Sequence, residues 1–211
     1  MYRNNRLLCL FIHLDKAWNH SLFEKSTYAQ INMKIRLFIA LDLPSHITTL
    51  LEGMCGSSRN IRPVKTEQLH LTLRFIGQVD EGLFYEVKQR LQEVNSSPLT
   101  LALQGVGRFP ARGKARVIWV GITPIIEVAR LRNRIDNQLS RCGIVTEKRK
   151  FSPHITLARL RNPSKTIISK FLTDNKLFQS PGFMINHFSL YSSHLTNKGA
   201  IHTTEASYGL S

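Results

Sequence analysis

The pattern of apolar and polar positions divides the chain into short strands and helices that alternate along most of its length. Residues 35–42 read as a first strand, and Pro44-Ser45 opens a helix running to about Gly56. Residues 69–76 alternate between two faces, as a strand does. Asp80 is placed to cap a helix whose Leu83, Phe84, Val87, Leu91 and Val94 recur at helical spacing. Two strands follow, about 99–107 and 115–122, joined by a loop over 108–114 that holds Pro110 and Gly113. Thr123 then reads as the N-cap, and Pro124 as the first residue, of a helix with Val128, Leu131, Ile135, Leu139 and Cys142 on one face and Gly143 as its stop. The remainder predicts a strand at 153–160, a helix near 164–174, and strands near 183–192 and 200–206 joined by a turn at 196–199. This order is α+β with antiparallel or mixed sheets. A histidine-bearing strand followed by a helix occurs once in each half.

Composition supports a packed protein, with 42% hydrophobic residues in 211 and no apolar run near the roughly 20 residues that cross a bilayer. Leu7–Leu14 follows Arg3 and Arg6, but it is short, His13 interrupts it, and no small-x-small cleavage site follows, so a signal peptide is not expected. Met33 directly precedes the first strand. Residues 1–32 therefore read as an extension of unassigned role, or as a start set too far upstream, and 33–211 as a single domain. Three cysteines, Cys9, Cys55 and Cys142, are odd in number and widely spaced, which argues against a disulfide framework or a zinc site and for a cytoplasmic location.

Charge adds the first functional pointer. Lys and Arg exceed Asp and Glu by 15, and 33–211 keeps +13 of that excess, so the domain itself carries a field that attracts polyanions. No basic amphipathic helix points to a membrane surface.

A histidine with threonine two positions later occurs five times, at His46, His70, His154, His194 and His202, so the bare pattern identifies nothing. His46 lies in a helical segment, where residues two apart point about 200° around the axis from each other. His194 runs into a turn, and His202 lies in a late polar strand without apolar anchors; these three read as incidental. His70-Leu71-Thr72-Leu73 and His154-Ile155-Thr156-Leu157 differ. In each, strand alternation projects His and Thr from one face while the apolar residues anchor the other.

Two such imidazoles suit phosphodiester chemistry, because one can accept a proton near neutral pH while the other donates one. The threonine hydroxyls can hydrogen-bond non-bridging oxygens, and an arginine can offset charge on phosphorus. No Asp or Glu accompanies either motif, so a metal-assisted mechanism lacks its ligands.

Taken with Arg36-Leu37-Phe38-Ile39-Ala40-Leu41-Asp42-Leu43-Pro44, Gly107-Arg108-Phe109-Pro110, Arg116–Gly121, Phe151–Arg159 and Phe188–Ser193, the motifs resemble the two-histidine phosphoesterase superfamily. The resemblance is to its bacterial RNA 2′,3′-cyclic phosphodiesterases, formerly described as 2′-5′ RNA ligases, and it spans residues 34–211. It implies a bilobal α+β fold of two pseudo-symmetric halves flanking a central cleft, and action on RNA ends that bear a 2′,3′-cyclic phosphate with neither metal nor ATP nor another cofactor; a monomer is expected. It further implies His70 as proton donor, His154 as proton acceptor, Thr72 and Thr156 as phosphate-binding residues, and Arg159 as the arginine following the second motif. Strict alternation sets Arg159 on the opposite face from His154, and sets Arg74 on the same face as His70 and Thr72, so both arginines are candidates for the phosphate. The same site would serve a ligase working in reverse, or a phosphodiesterase for small cyclic or 2′-5′-linked nucleotides. A non-catalytic RNA-binding module is the alternative of another class.

Overall fold

The computed structural model describes residues 34–56, 58–197 and 199–211. The proposed extension, 1–32, and the start at Met33 lie outside the described residues. Strands β1 (Ile35–Asp42), β2 (Ile61–Pro63), β3 (His70–Val79), β4 (Leu99–Phe109), β5 (Val117–Thr123), β6 (His154–Leu160), β7 (Phe183–Ile185), β8 (His187–Thr196) and β9 (Gly199–Gly209) form one sheet. Helices α1 (Ser45–Leu51), α2 (Glu81–Leu91), α3 (Ile125–Arg141) and α4 (Lys165–Asp174) connect them.

The strand order is β7-β4-β5-β6-β3-β1-β8-β9, with β2 pairing β6. Every pairing among these strands is antiparallel, which resolves the antiparallel-or-mixed alternative. The order is symmetric about its middle. Strands β3-β1-β8-β9 make one half and β6-β5-β4-β7 the other, each with its histidine strand innermost. Each half also repeats the chain order strand, helix, histidine strand, helix: β1-α1-β3-α2 and β5-α3-β6-α4. The seam is a single rung, Leu71 opposite Ile155.

The core lies on the face opposite the histidines. Leu37, Ile39, Leu41, Leu71, Ile118, Val120 and Ile155 contribute their strand-alternate side chains to it, and Val87, Leu91, Val128, Leu131 and Ile135 come from the helices. Burial of each such side chain stabilises the fold by roughly 1.5–3 kcal/mol. Asp80 caps α2 as its sequence position predicts, its side chain accepting from the Leu83 amide at 2.8 Å.

Three of the differences from the sequence reading have a clear physical cause. Helix α1 stops at Leu51 rather than near Gly56, because Gly53 adopts φ +76 and turns the chain out of the helix. Thr123 is not an N-cap. It remains in the β5 ladder opposite Ala102, and Pro124 takes the cap position instead. The strand expected over 183–192 is two strands, broken at Asn186, because β7 pairs β4 in one half and β8 pairs β1 and β9 in the other. Among the described residues no helix is long and apolar enough to cross a membrane.

Candidate active site

His70 and His154 open β3 and β6, and each is half-buried with an apolar neighbour fully inside. An antiparallel rung at Leu71 and Ile155 sets His70 on the side of Thr156, and Thr72 on the side of His154. Because Leu71 and Ile155 point into the core, the two histidines and two threonines share the opposite face. The seam thus brings together both motifs that the sequence singled out.

The imidazoles are held in the same way. His70 Nδ1 lies 2.8 Å from the Gln68 carbonyl, and His154 Nδ1 lies 2.7 Å from the Ser152 carbonyl. A carbonyl only accepts, so Nδ1 carries the proton in each ring. In the neutral form Nε2 is then a free base, and in the charged form it is an acid. Burial is the largest influence on both and pushes both below the ordinary 6.5. Their electrostatic neighbours differ. Asp42 favours the charged form of His70, against His202 and Arg159, whereas Arg149 disfavours the charged form of His154. Asp42 is itself fixed by Ser189 Oγ at 2.8 Å and by the Tyr191 hydroxyl, and His187 Nε2 lies 3.4 Å from it.

A one-residue bulge in each motif decides the two arginines. On β3, Ala40 pairs Thr72 and the next rung is Ile39 with Arg74, so Leu73 is the extra residue. On β6, Trp119 pairs Thr156 and the next rung is Ile118 with Ala158, so Leu157 is the extra residue. Both strands accordingly show two successive buried residues, Leu73-Arg74 and Leu157-Ala158.

The bulge reverses the faces that strict alternation predicts. Arg74 turns into the core, where Asp136 lies 2.8 Å and Glu147 3.1 Å from it and the Val145 carbonyl accepts from it. Its expected place beside Thr72 on the site face is therefore corrected. Arg159 returns to the face of Thr156 and Trp119, exposed and opposite Val117. At the equivalent place on β3 stands Phe75, exposed and opposite Phe38.

Aromatic rings frame both histidines. The Phe38 ring lies 5.1 Å from His70, and Tyr191 stacks on Phe38 at 5.1 Å. Phe109 meets His154 edge-on at 4.8 Å, with Trp119 at 6.1 Å. Trp119 lies so closely over β4 that a Cβ on Gly107 would come within 2.1 Å of it. An open groove of about 700 Å³ runs from Trp119 along Gly105–Arg108 to Lys176. His202, which the sequence reading set aside, meets His70 edge-on at 5.7 Å. Its signal was hidden because β9 reaches the site through pairing with β8 and not through any motif of its own. His46 and His194 are exposed. Among the described residues no group of three or more His, Cys, Asp or Glu is placed to hold a metal.

A family model described as the 2′-5′ RNA ligase superfamily matches residues 43–197. A protein of Archaeoglobus fulgidus named RNA 2′,3′-cyclic phosphodiesterase is 34% identical over 176 residues, covering 80% of this chain and 96% of its own. An Escherichia coli protein of the same name is 30% identical over 166 residues, covering 75% and 86%. Among solved structures, E. coli LigT complexed with 3′-AMP superposes with a TM-score of 0.69 at 26% identity, covering 85% of this chain and 99% of that one. The matched segment contains both histidine strands and the seam between them, and the chain belongs to the 2′-5′ RNA ligase superfamily.

Proposed function

We propose that this chain hydrolyses RNA 2′,3′-cyclic phosphate ends to 2′-phosphomonoesters, using His154 as base and His70 as acid. The carrying observation is the seam itself: two imidazoles with Nδ1 tied to backbone carbonyls and two threonines, all on one face of two abutting strands. Relatives named RNA 2′,3′-cyclic phosphodiesterase, matched over most of their length, support the reading.

In this reaction His154 Nε2 takes a proton from water, whose oxygen attacks phosphorus. The bond from phosphorus to the 3′-oxygen breaks, and His70 Nε2–H gives that oxygen its proton. The Thr72 and Thr156 hydroxyls donate to the non-bridging oxygens, and Arg159 offsets the charge that grows there. Arg149 stands by the ring that must lack a proton; beside His70, Asp42 favours the proton and His202 opposes it more strongly, so the assignment of acid and base follows the order of the two motifs in the family. The groove beside Trp119 has room for a nucleotide, and the surrounding rings offer surfaces on which bases stack. We place the enzyme in the cytoplasm as a monomer acting without metal; Cys55 and Cys142 are free thiols.

Turnover of an RNA oligomer with a cyclic end, measured in EDTA, tests the reading. Wild type should retain full rate, and His70→Ala and His154→Ala should each lose at least about 10²-fold, because acid and base act as a unit. Loss of activity in EDTA, or a near-wild-type rate in either variant, contradicts it.

A further inference from the structure

Strand β2 was absent from the sequence reading, and it places a second arginine at the site. Arg62 lies directly opposite Arg159 in the β2–β6 ladder, between the rungs Ile61–Leu160 and Pro63–Ala158. Ile61 is buried in the core, so Arg62 projects from the other face, the one that carries Arg159 and, through Trp119 and Thr156, the histidines. Both arginines are exposed. Directly opposite residues hold their Cβ atoms about 4.5–5.5 Å apart, and like charges there repel. No ion pair with a described carboxylate offsets either charge; this is also true of exposed Arg116, and what sets the pair apart is that the two arginines face each other across one rung. On its other side Arg159 faces Val117, which offers no counter-charge. Two facing, uncompensated guanidinium groups continuous with the seam are suited to an anion held between or beside them.

Resting on the phosphodiesterase reading above, we propose that Arg62 binds the internucleotide phosphate next to the cyclic end, making the enzyme selective for RNA chains over cyclic mononucleotides. The cyclic phosphate occupies the seam, with Arg159 reaching it from about two rungs along β6. Arg62 sits one strand further out, where the next phosphate of the same chain can meet it. A mononucleotide has no such phosphate and leaves Arg62 unused.

The test compares kcat/KM for a 2′,3′-cyclic mononucleotide, a dinucleotide with a cyclic end, and the same dinucleotide with a neutral methylphosphonate linkage, in the full-length protein. Wild type should prefer the charged dinucleotide by about tenfold or more, since charge-assisted hydrogen bonds are the strong ones. It should lose most of that preference on the methylphosphonate. Arg62→Ala should bring the ratio of charged to neutral dinucleotide close to one, and Arg62→Lys should restore part of it. Arg116→Ala removes an exposed cation outside this ladder pair and controls for general charge. An unchanged ratio in Arg62→Ala, an equal fall in Arg116→Ala, or a uniform loss on all three substrates overturns the proposal. If Arg62→Ala does not fold, Arg62→Gln, which keeps most of the side chain and removes its charge, is read by the same ratio. If no substrate turns over, the reaction reading fails alone. Calorimetric binding of 2′-phosphate-ended dinucleotides with charged and neutral linkages then decides the role of Arg62 by the same ratios.

Discussion

Each imidazole at the seam donates from Nδ1 to the carbonyl two residues before it, and this leaves Nε2 as the nitrogen free to exchange a proton. Residues at this scale separate into those that touch the reaction and those that hold its frame, and the two arginines flanking the motifs illustrate the difference. Arg74 is buried against Asp136 and Glu147. Truncation to Ala leaves those carboxylates with only the longer contacts to Arg132, at 3.5 and 3.4 Å, and should cost part of the roughly 3–5 kcal/mol that a wholly unpaired buried charge costs, read by denaturant unfolding. Arg159 is exposed and unpaired with any described carboxylate. Arg159→Ala should leave the unfolding midpoint nearly unchanged while lowering kcat by about 10²–10³-fold. The opposite pattern, a stable Arg74→Ala or an active Arg159→Ala, would contradict the assignment. The sequence made His70, His154, Thr72 and Thr156 legible because strand periodicity and apolar anchors single them out. Arg62 and His202 were not legible, because they reach the site through pairing with strands distant in sequence.

At the scale of elements, regular signals were readable and irregular ones were not. Asp80 before an amphipathic run predicted the start of α2, and the cap is present. Asp80→Ala should cost about 1 kcal/mol by thermal or denaturant unfolding and leave kcat near wild type. A larger loss, or a loss of activity, would mean that α2 does more than pack. The bulges at Leu73 and Leu157 have no local signature, since Leu suits either a bulge or a regular rung, yet they decide which arginine faces the site. Strand β2 is three residues long and includes Pro63, so propensity argues against it, and pairing with β6 creates it. The break at Asn186 is a change of partner, which one strand-like run of sequence does not reveal.

The whole molecule sets the pH behaviour. The proposed roles require neutral His154 and protonated His70, so the pair gives a bell-shaped kcat/KM. Burial lowers both below 6.5 in the free protein, so the kcat/KM maximum should lie below pH 6.5. Bound phosphate is anionic and favours imidazolium, so the kcat profile should sit at higher pH than the kcat/KM profile. A kcat/KM profile still rising above pH 8 would contradict this. Stability should follow the same groups. His70, His154 and His202 all bind protons more weakly folded than unfolded, so acidification below about 6.5 favours the unfolded chain until the folded groups also titrate.

In the proposed reaction each half supplies one proton transfer, and the ribose oxygen that receives the proton fixes the product. The most direct measurement is therefore the end group left on an RNA oligomer whose 2′,3′-cyclic phosphate the enzyme has opened. Phosphorus NMR, or digestion with an enzyme specific for 3′-phosphates, distinguishes the possibilities. A 2′-phosphate with a free 3′-hydroxyl is the predicted result. A 3′-phosphate would contradict the assignment of His70 to the 3′-oxygen, and an unopened ring would contradict the reaction itself.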